Sequence, residues 1–179
     1  LQKSSNANSS QVNQLVKKGI VEIYQKEVGR LQLDELETNS LLNLNEEQEN
    51  ALNTINKILD EKRVCLLHGV TGSGKTEIYL QLMKKALDKK QQVLFLVPEI
   101  GLTPQLFEAL SSRFGNCVGL IHSSTSEKLK AEAWLSAREN KLSIILGTRS
   151  SIFVPFRKLG LIVIDEEHDE SYKQQSGLM

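Results

Sequence analysis

Neither charge sign dominates this chain. Its 22 Lys and Arg balance 22 Asp and Glu, so the formal net charge is zero. That excludes a global basic field, and any contact with nucleic acid has to come from local groups. Long apolar runs are missing too. None approaches the roughly 20 residues of a membrane span, and no signal peptide is visible. Cysteine is scarce: Cys65 and Cys117 each sit in an apolar run. They read as two buried strand residues rather than a disulfide or metal pair, which suits a reducing, cytoplasmic setting. What is present is ordinary for a globular protein, with 40% hydrophobic and 25% charged residues in 179. That is enough for one domain with a real core plus an appendage. Starting at Leu1 and stopping after Gly177-Leu178-Met179, the sequence is expected to be a piece of something longer.

Residues 1–10 are Ser/Asn-rich and without pattern, expected to be disordered or vector-derived. Residues 11–42 hold a short helix pattern closed by Gly19, an alternating Ile20–Tyr24 stretch like an edge strand, and an acidic connector. Residues 43–179 then alternate helix and strand patterns. Asn45 caps a helix to about Leu59 with Ala51, Leu52, Ile55, Ile58 and Leu59 on one side. Strands are expected at 64–67, 93–97, 117–121, 142–146 and 161–164. Helices are expected at 75–90, from Pro104 (capped by Thr103) through Phe114, and at 127–140. The alternation implies an α/β fold: a parallel sheet with helices on both faces and right-handed crossovers. Ligands of such sheets bind at the carboxyl ends of the strands.

Gly69-Val70-Thr71-Gly72-Ser73-Gly74-Lys75-Thr76 satisfies G-x-x-x-x-G-K-[ST], the P-loop, between an apolar run and a helical one. Its glycines let the backbone N–H groups turn inward onto phosphate oxygens, and the next helix adds its positive dipole end. Lys75 reaches the β- and γ-phosphates, and Thr76 supplies a hydroxyl for Mg²⁺. Further on, Leu161-Ile162-Val163-Ile164 runs into Asp165-Glu166. A P-loop nucleotidase needs one strand-end carboxylate to hold the Mg²⁺ shell and gains from a second that orients or deprotonates water. Asp165 suits the first role and Glu166 the second. No N-K-x-D guanine reader and no arginine-bearing lid are found, which sets aside a GTPase and a small-molecule kinase. The alternatives left open are another P-loop ATPase acting on nucleic acid, or a non-catalytic ATP- or DNA-binding module.

The run Asp165-Glu166-Glu167-His168 resembles the DEAD/DEAH box of superfamily 2 helicases and translocases. Asn45-Glu46-Glu47-Gln48 resembles their adenine-reading glutamine motif, Pro98–Gln105 their motif Ia and Gly147–Phe153 their motif Ib. With His122-Ser123 and the stretch from Ile164 to Gln175, these are similar to the bacterial primosomal replication-restart helicases, densely over residues 44–177. Residues 15–30 loosely resemble the end of that family's winged-helix region. The resemblance implies a RecA-like first lobe, cut short, of a 3′-to-5′ DNA helicase that uses ATP and Mg²⁺. It implies action on single-stranded and forked DNA together with primosome proteins and single-strand binding protein, in the bacterial cytoplasm. Zinc is expected only in a part of the family absent here. The family's second lobe supplies an arginine to the transition state, so these 179 residues alone are expected to bind nucleotide weakly and hydrolyse it negligibly.

Residue by residue, Gln48 can both donate to and accept from the adenine edge. His68 reads as structural. His122 faces DNA or caps a turn. Glu167 and His168 resemble a coupler between the nucleotide and nucleic-acid sites. The expected DNA track is Pro98, Thr103, His122, Ser123, Thr148, Arg149 and Ser150, mostly through phosphates, with Arg149 pairing either a DNA phosphate or a nearby Asp or Glu. Tyr172 can stack on a base, in a segment that opens an aromatic-rich, DNA-sensing loop in the family. Trp134 reads as core.

Overall fold

The computed structural model describes residues 18, 41–61, 64–70, 72–101 and 104–173. The chain divides into two units, Leu1–Arg30 and Leu31–Met179, and apart from Lys18 every described residue lies in the second. The expected strand and helix of residues 11–30 therefore fall outside the described residues, as do Thr71 and Thr103.

Helix α1, Glu46–Glu61, starts where the sequence expects. The Asn45 amide donates to Gln48 Oε1 (3.0 Å) and the Gln48 amide to Asn45 Oδ1 (2.9 Å). This reciprocal capping box satisfies two end donors at once. Glu46, Glu47 and Glu49 occupy the first turn, where the positive helix end favours them. The inner face of α1 places Ile55 against Ile78 and Leu82 of helix α2, Lys75–Asp88.

Four strands follow: β1 Gln92–Leu96, β2 Val118–Ile121, β3 Ile144–Gly147 and β4 Leu159–Ile164. They form one parallel sheet in the order β2-β3-β1-β4. Helix α3, Pro104–Phe114, links β1 to β2, and helix α4, Glu127–Arg138, links β2 to β3. Strand alternation sorts the core into two layers. Val93, Phe95, Ile144 and Leu146 face α2 and α3, meeting Tyr79, Leu80, Met83 and Leu110. Leu94, Leu96 and Ile145 face α4, meeting Ala133 and Ala137. Each fully buried Leu, Ile or Phe contributes about 1.5–3 kcal/mol, so the central strands β1 and β3, buried along their whole length, carry most of the hydrophobic stabilisation.

One polar side chain is central to this core. Gln92, wholly buried, donates through Nε2 to the carbonyls of Ala137 (2.7 Å) and Leu142 (2.8 Å). Its Oε1 accepts from the amides of Arg157 (2.8 Å) and Lys158 (3.0 Å). It thus ties the end of α4 and the approach to β3 to the approach to β4.

Several expectations are corrected. Residues 64–67 enter the P-loop without pairing as a strand; Val64 is 82% and Leu66 71% exposed. An apolar run becomes a buried strand only when a ladder partner and covering layers are supplied. Among the described residues this run has no ladder partner, and only its Cys65 and Leu67 side packs, against Ile55, Ile78 and Leu82. Strand β4 shows a related departure. It pairs with β1 alone among the described strands, and Leu159, Ile162 and Ile164 are exposed. Trp134 is exposed rather than core, because α4 turns Ala133 and Ala137 to the sheet and leaves Trp134 on its outer side. Cys65 and Cys117 are free and only half-buried, and neither lies on a strand. Cys117 ends a short 3₁₀ turn before β2.

Candidate functional site

The P-loop closes on itself in the way its glycines permit. Gly72 and Gly74 adopt φ of 81° and 83°, left-handed values that cost other residues about 1–2 kcal/mol. The Ser73 amide donates to the Val70 carbonyl (3.2 Å), and the Glu77 amide to that of Gly74 (3.0 Å). The Lys75 ammonium folds back onto the carbonyls of Gly69 (2.6 Å) and Val70 (3.0 Å). Any anion entering the loop would have to compete with these carbonyls for the same cation. Thr76 is exposed at the start of α2.

Gln48 sits against this loop. While Oε1 serves the capping box, Nε2 reaches the Ser73 carbonyl at 3.5 Å. A Cβ on Gly74 would collide with that Nε2. The amide expected to read adenine is therefore already engaged at both ends, and spans from the start of α1 to the phosphate loop.

Strand register sets the rest of the site. Leu96, Ile121, Gly147 and Ile164 are level across the sheet. The residues just beyond them, Val97, His122, Thr148 and Asp165, consequently line the carboxyl edge. Bonds from the Asp165 amide to the Leu96 carbonyl (2.9 Å) and from the Val97 amide to the Gly147 carbonyl (3.0 Å) continue the ladder. With neighbouring strands about 4.8 Å apart, the four ends span roughly 14 Å.

Asp165 is held from several sides. Its Oδ1 accepts from the Tyr79 hydroxyl (3.3 Å) and the Glu166 amide (3.1 Å). Its carbonyl accepts from the Tyr172 hydroxyl (2.9 Å). Burial first, then the Asp165 charge, raises both tyrosine hydroxyls above their ordinary range, so at neutral pH they remain donors. Glu166 adopts a left-handed φ of 47°, and the turn is closed by the Asp169 amide on the Glu166 carbonyl (2.9 Å). Glu167 and His168 are exposed, with His168 Nδ1 3.3 Å from Glu167 Oε2. Oδ2 of Asp165 takes no bond from the described residues. One open carboxylate oxygen and one hydroxyl, that of Thr76, suit Mg²⁺, which keeps waters and phosphate oxygens as its other ligands. Among the described residues no group of three His, Cys, Asp or Glu assembles that could hold a metal unaided.

At the other end of the edge, Glu99, Pro104, Phe107, Glu108, Leu120, His122, Ser123, Ser124 and Thr148 line an open cleft of about 560 Å³. Pro98 and Thr148 are buried, His122 is half-buried, and Ser123 and Ser150 are exposed. His122 presents its amide to Thr125 Oγ1 (3.0 Å). The Arg149 guanidinium donates to the Lys173 carbonyl at 2.9 Å. That bond ties the end of β3 to the segment carrying Tyr172. The hydroxyl of Tyr172 is spent on Asp165 rather than left free beside an exposed stacking ring. His68 is exposed beside the P-loop.

Sequence reading missed Tyr79 as a member of the site and counted it only on the apolar face of its helix. The usable signal was its spacing, i+4 from Lys75, which puts both side chains on one side of α2.

The family described as type III restriction enzyme, res subunit (ResIII) matches residues 41–177. The chain belongs to the ResIII family. A ResIII domain is a helicase-type, nucleotide-using domain, and its match runs from the start of α1 to past Tyr172, enclosing the whole site. The chain is 42% identical over 177 residues to the replication restart protein PriA of Bacillus subtilis, covering 97% of this chain and 22% of that one. It is 45% identical over 175 residues to PriA of Synechocystis, covering 97% and 21%. It is 39% identical over 178 residues to PriA of Chlamydia pneumoniae, covering 97% and 24%. The chain thus spans about a fifth to a quarter of these relatives' length. Among the described residues no helix is long and apolar enough to cross a membrane.

Proposed function

We propose that this chain is the ATP-binding part of an ATP-driven DNA motor of replication restart, a 3′-to-5′ helicase acting at stalled or abandoned forks. The observation that carries this reading is the shared carboxyl edge. One register aligns Asp165, beside the P-loop helix, with the ends of β1, β3 and β2. A polyphosphate would lie in the loop from Gly69 to Thr76, with Lys75 transferred from the Gly69 and Val70 carbonyls to phosphate oxygens. Asp165 and Thr76 would hold Mg²⁺, which neutralises phosphate charge. Glu166, exposed next to Asp165, orients and deprotonates the attacking water. Gln48 carries adenine contact into the loop through Ser73. Glu167 and His168, exposed just after Asp165 and Glu166, would couple this site to the nucleic-acid edge.

A DNA backbone would follow the edge from the Pro98 segment past Thr148, Arg149 and Ser150 to His122 and Ser123. Glu99 and Glu108 line the same cleft, so the track is not a basic wall. Phosphates are met by hydroxyls and backbone N–H groups, with Arg149 as the adjoining cation. Such contacts are independent of base sequence. The relatives' names support a role in replication restart; fork DNA, primosome proteins and single-strand binding protein as partners, and a cytoplasmic setting, are proposed with it. Zinc, if the whole protein holds any, belongs to other residues.

The test is steady-state ATP hydrolysis by a chain of the relatives' full length, with and without single-stranded DNA, against Lys75→Ala. Stimulation by DNA and its loss on Lys75→Ala are expected. Hydrolysis unchanged by Lys75→Ala would reject the site. Hydrolysis indifferent to DNA would favour a P-loop ATPase of another kind.

A further inference from the structure

We propose that Tyr79 is a positioning residue for the metal-holding carboxylate: its hydroxyl engages Asp165 at Oδ1, so that Oδ2 is the oxygen offered to the cation. This rests on the nucleotide and Mg²⁺ reading above. Tyr79 is one helical turn beyond Lys75 on α2, so the helix that begins at the phosphate loop also delivers the phenol. The ring is 8% exposed. It meets Phe95 edge-on, with centroids 5.9 Å apart and planes at 69°. A ring held this way has little freedom, so its hydroxyl is placed by packing and not by the bond it makes.

That hydroxyl lies 3.3 Å from Asp165 Oδ1, and the Glu166 amide reaches the same oxygen at 3.1 Å. Two donors on one oxygen fix the carboxylate's rotation and leave the other oxygen uncommitted. The backbone of Asp165 is pinned separately, by its own amide on the Leu96 carbonyl and by Tyr172 on its carbonyl. A packing role would need only the ring. What the hydroxyl adds is a tie between the helix of Lys75 and the carboxylate of the neighbouring strand end. Among the described residues it is the one side-chain hydrogen bond from α2 to the 165–168 turn. Outer-shell partners of this kind orient metal ligands and tune their affinity.

The experiment uses a chain of the relatives' full length and a fluorescent ADP analogue, with binding titrated against Mg²⁺. Tyr79→Phe keeps the ring and removes the hydroxyl. It is expected to bind the analogue at saturating Mg²⁺ but to need about 10-fold more Mg²⁺ for half-maximal binding, the lower end for outer-shell substitutions. In an Asp165→Ala background, adding Tyr79→Phe should shift the Mg²⁺ midpoint no further, because the hydroxyl acts through that carboxylate. Mn²⁺ electron paramagnetic resonance of the nucleotide complex gives a second readout below the unfolding range, and the Phe variant should show an altered spectrum. An unchanged Mg²⁺ midpoint, an unchanged Mn²⁺ spectrum, or a shift that persists without Asp165 overturns the proposal. Undiminished analogue binding by Lys75→Ala would remove the nucleotide site itself, and that failure is recognisable on its own.

Discussion

Replacing Gln92 by leucine tests whether a buried polar residue organises this sheet. The side chain is 0% exposed, and its four hydrogen bonds all go to backbone groups 45 to 66 residues away in sequence. Leucine fills similar space but makes none of them. The Leu142 carbonyl loses its buried donor, at about 1–3 kcal/mol, while the Ala137 carbonyl keeps the Asn140 amide (3.1 Å) and loses only about 0.5–1.5 kcal/mol. The amides of Arg157 and Lys158 are only partly buried and can turn to water, so they add little. Burying leucine instead of an amide returns about 1–2 kcal/mol. The net expectation is a loss of about 1–2 kcal/mol, a sizeable share of the roughly 5–15 kcal/mol that holds a domain together. With a urea slope of about 1–3 kcal/mol/M, the unfolding midpoint should fall by about 0.5–1 M, read by far-ultraviolet circular dichroism. Gln92→Glu keeps the acceptor but loses the donors and brings a buried charge, so it should be at least as damaging. A Gln92→Leu midpoint within error of the wild type would refute the reasoning, because it would mean the Leu142 carbonyl finds another donor at no cost.

Glu166→Gln, in a chain of full length, should retain ATP affinity and lose turnover about 10²-fold or more, the scale of a removed general base; parallel loss of binding in a nucleotide titration would place Glu166 in the metal shell or the fold. Gly74→Ala should cost about 1–2 kcal/mol of stability through its φ of 83°. It should also displace Gln48, so that a binding titration shows a larger loss of adenine nucleotide affinity than of affinity for inorganic triphosphate. Arg149→Ala should weaken single-stranded DNA equally across sequences and reduce the salt slope by about 0.7, one phosphate's share; a base-dependent loss in fluorescence anisotropy would count against a backbone contact. Burial raises the Cys117 thiol, and its Sγ lies 3.1 Å from the Phe114 carbonyl, so iodoacetamide at pH 8 should label it more slowly than a free cysteine, by mass spectrometry.

The parts of the site legible in the sequence are those whose chemistry is local. A phosphate loop needs glycines and a lysine within eight residues, and a metal carboxylate suits the end of an apolar strand, so the sequence alone nominates Lys75 and Asp165 as candidates. The Asn45–Gln48 box was half legible: Asn45 was read as a cap, while the reciprocal bond and the reach to Ser73 were not. Tyr79 and Gln92 were missed because their partners lie far along the chain, 86 residues away for Tyr79 and Asp165. Side-chain type alone marked one as core and gave no role to the other. Residues 64–67 were misread because apolar composition states a preference for burial but not what pairs with the strand. Trp134 was misread because helix periodicity locates an apolar stripe without fixing which edge of it the sheet covers.

Among the described strands β4 pairs with β1 alone, and its other side has a consequence for how this polypeptide behaves in a tube. A parallel strand with one neighbour leaves about half of its amides and carbonyls facing outward. Here that backbone is flanked by Leu159, Ile162 and Ile164, with Val64 and Leu66 also in solvent. Backbone donors and acceptors beside bare aliphatic surface form a template for recruiting extended chains. These 179 residues in isolation should therefore be sticky, with sedimentation and light scattering that depend on protein concentration and worsen with kosmotropic salt, which strengthens apolar association. A charged residue at Ile162, on a side chain already in water, should suppress that aggregation without touching the edge where nucleotide and nucleic acid are proposed to bind.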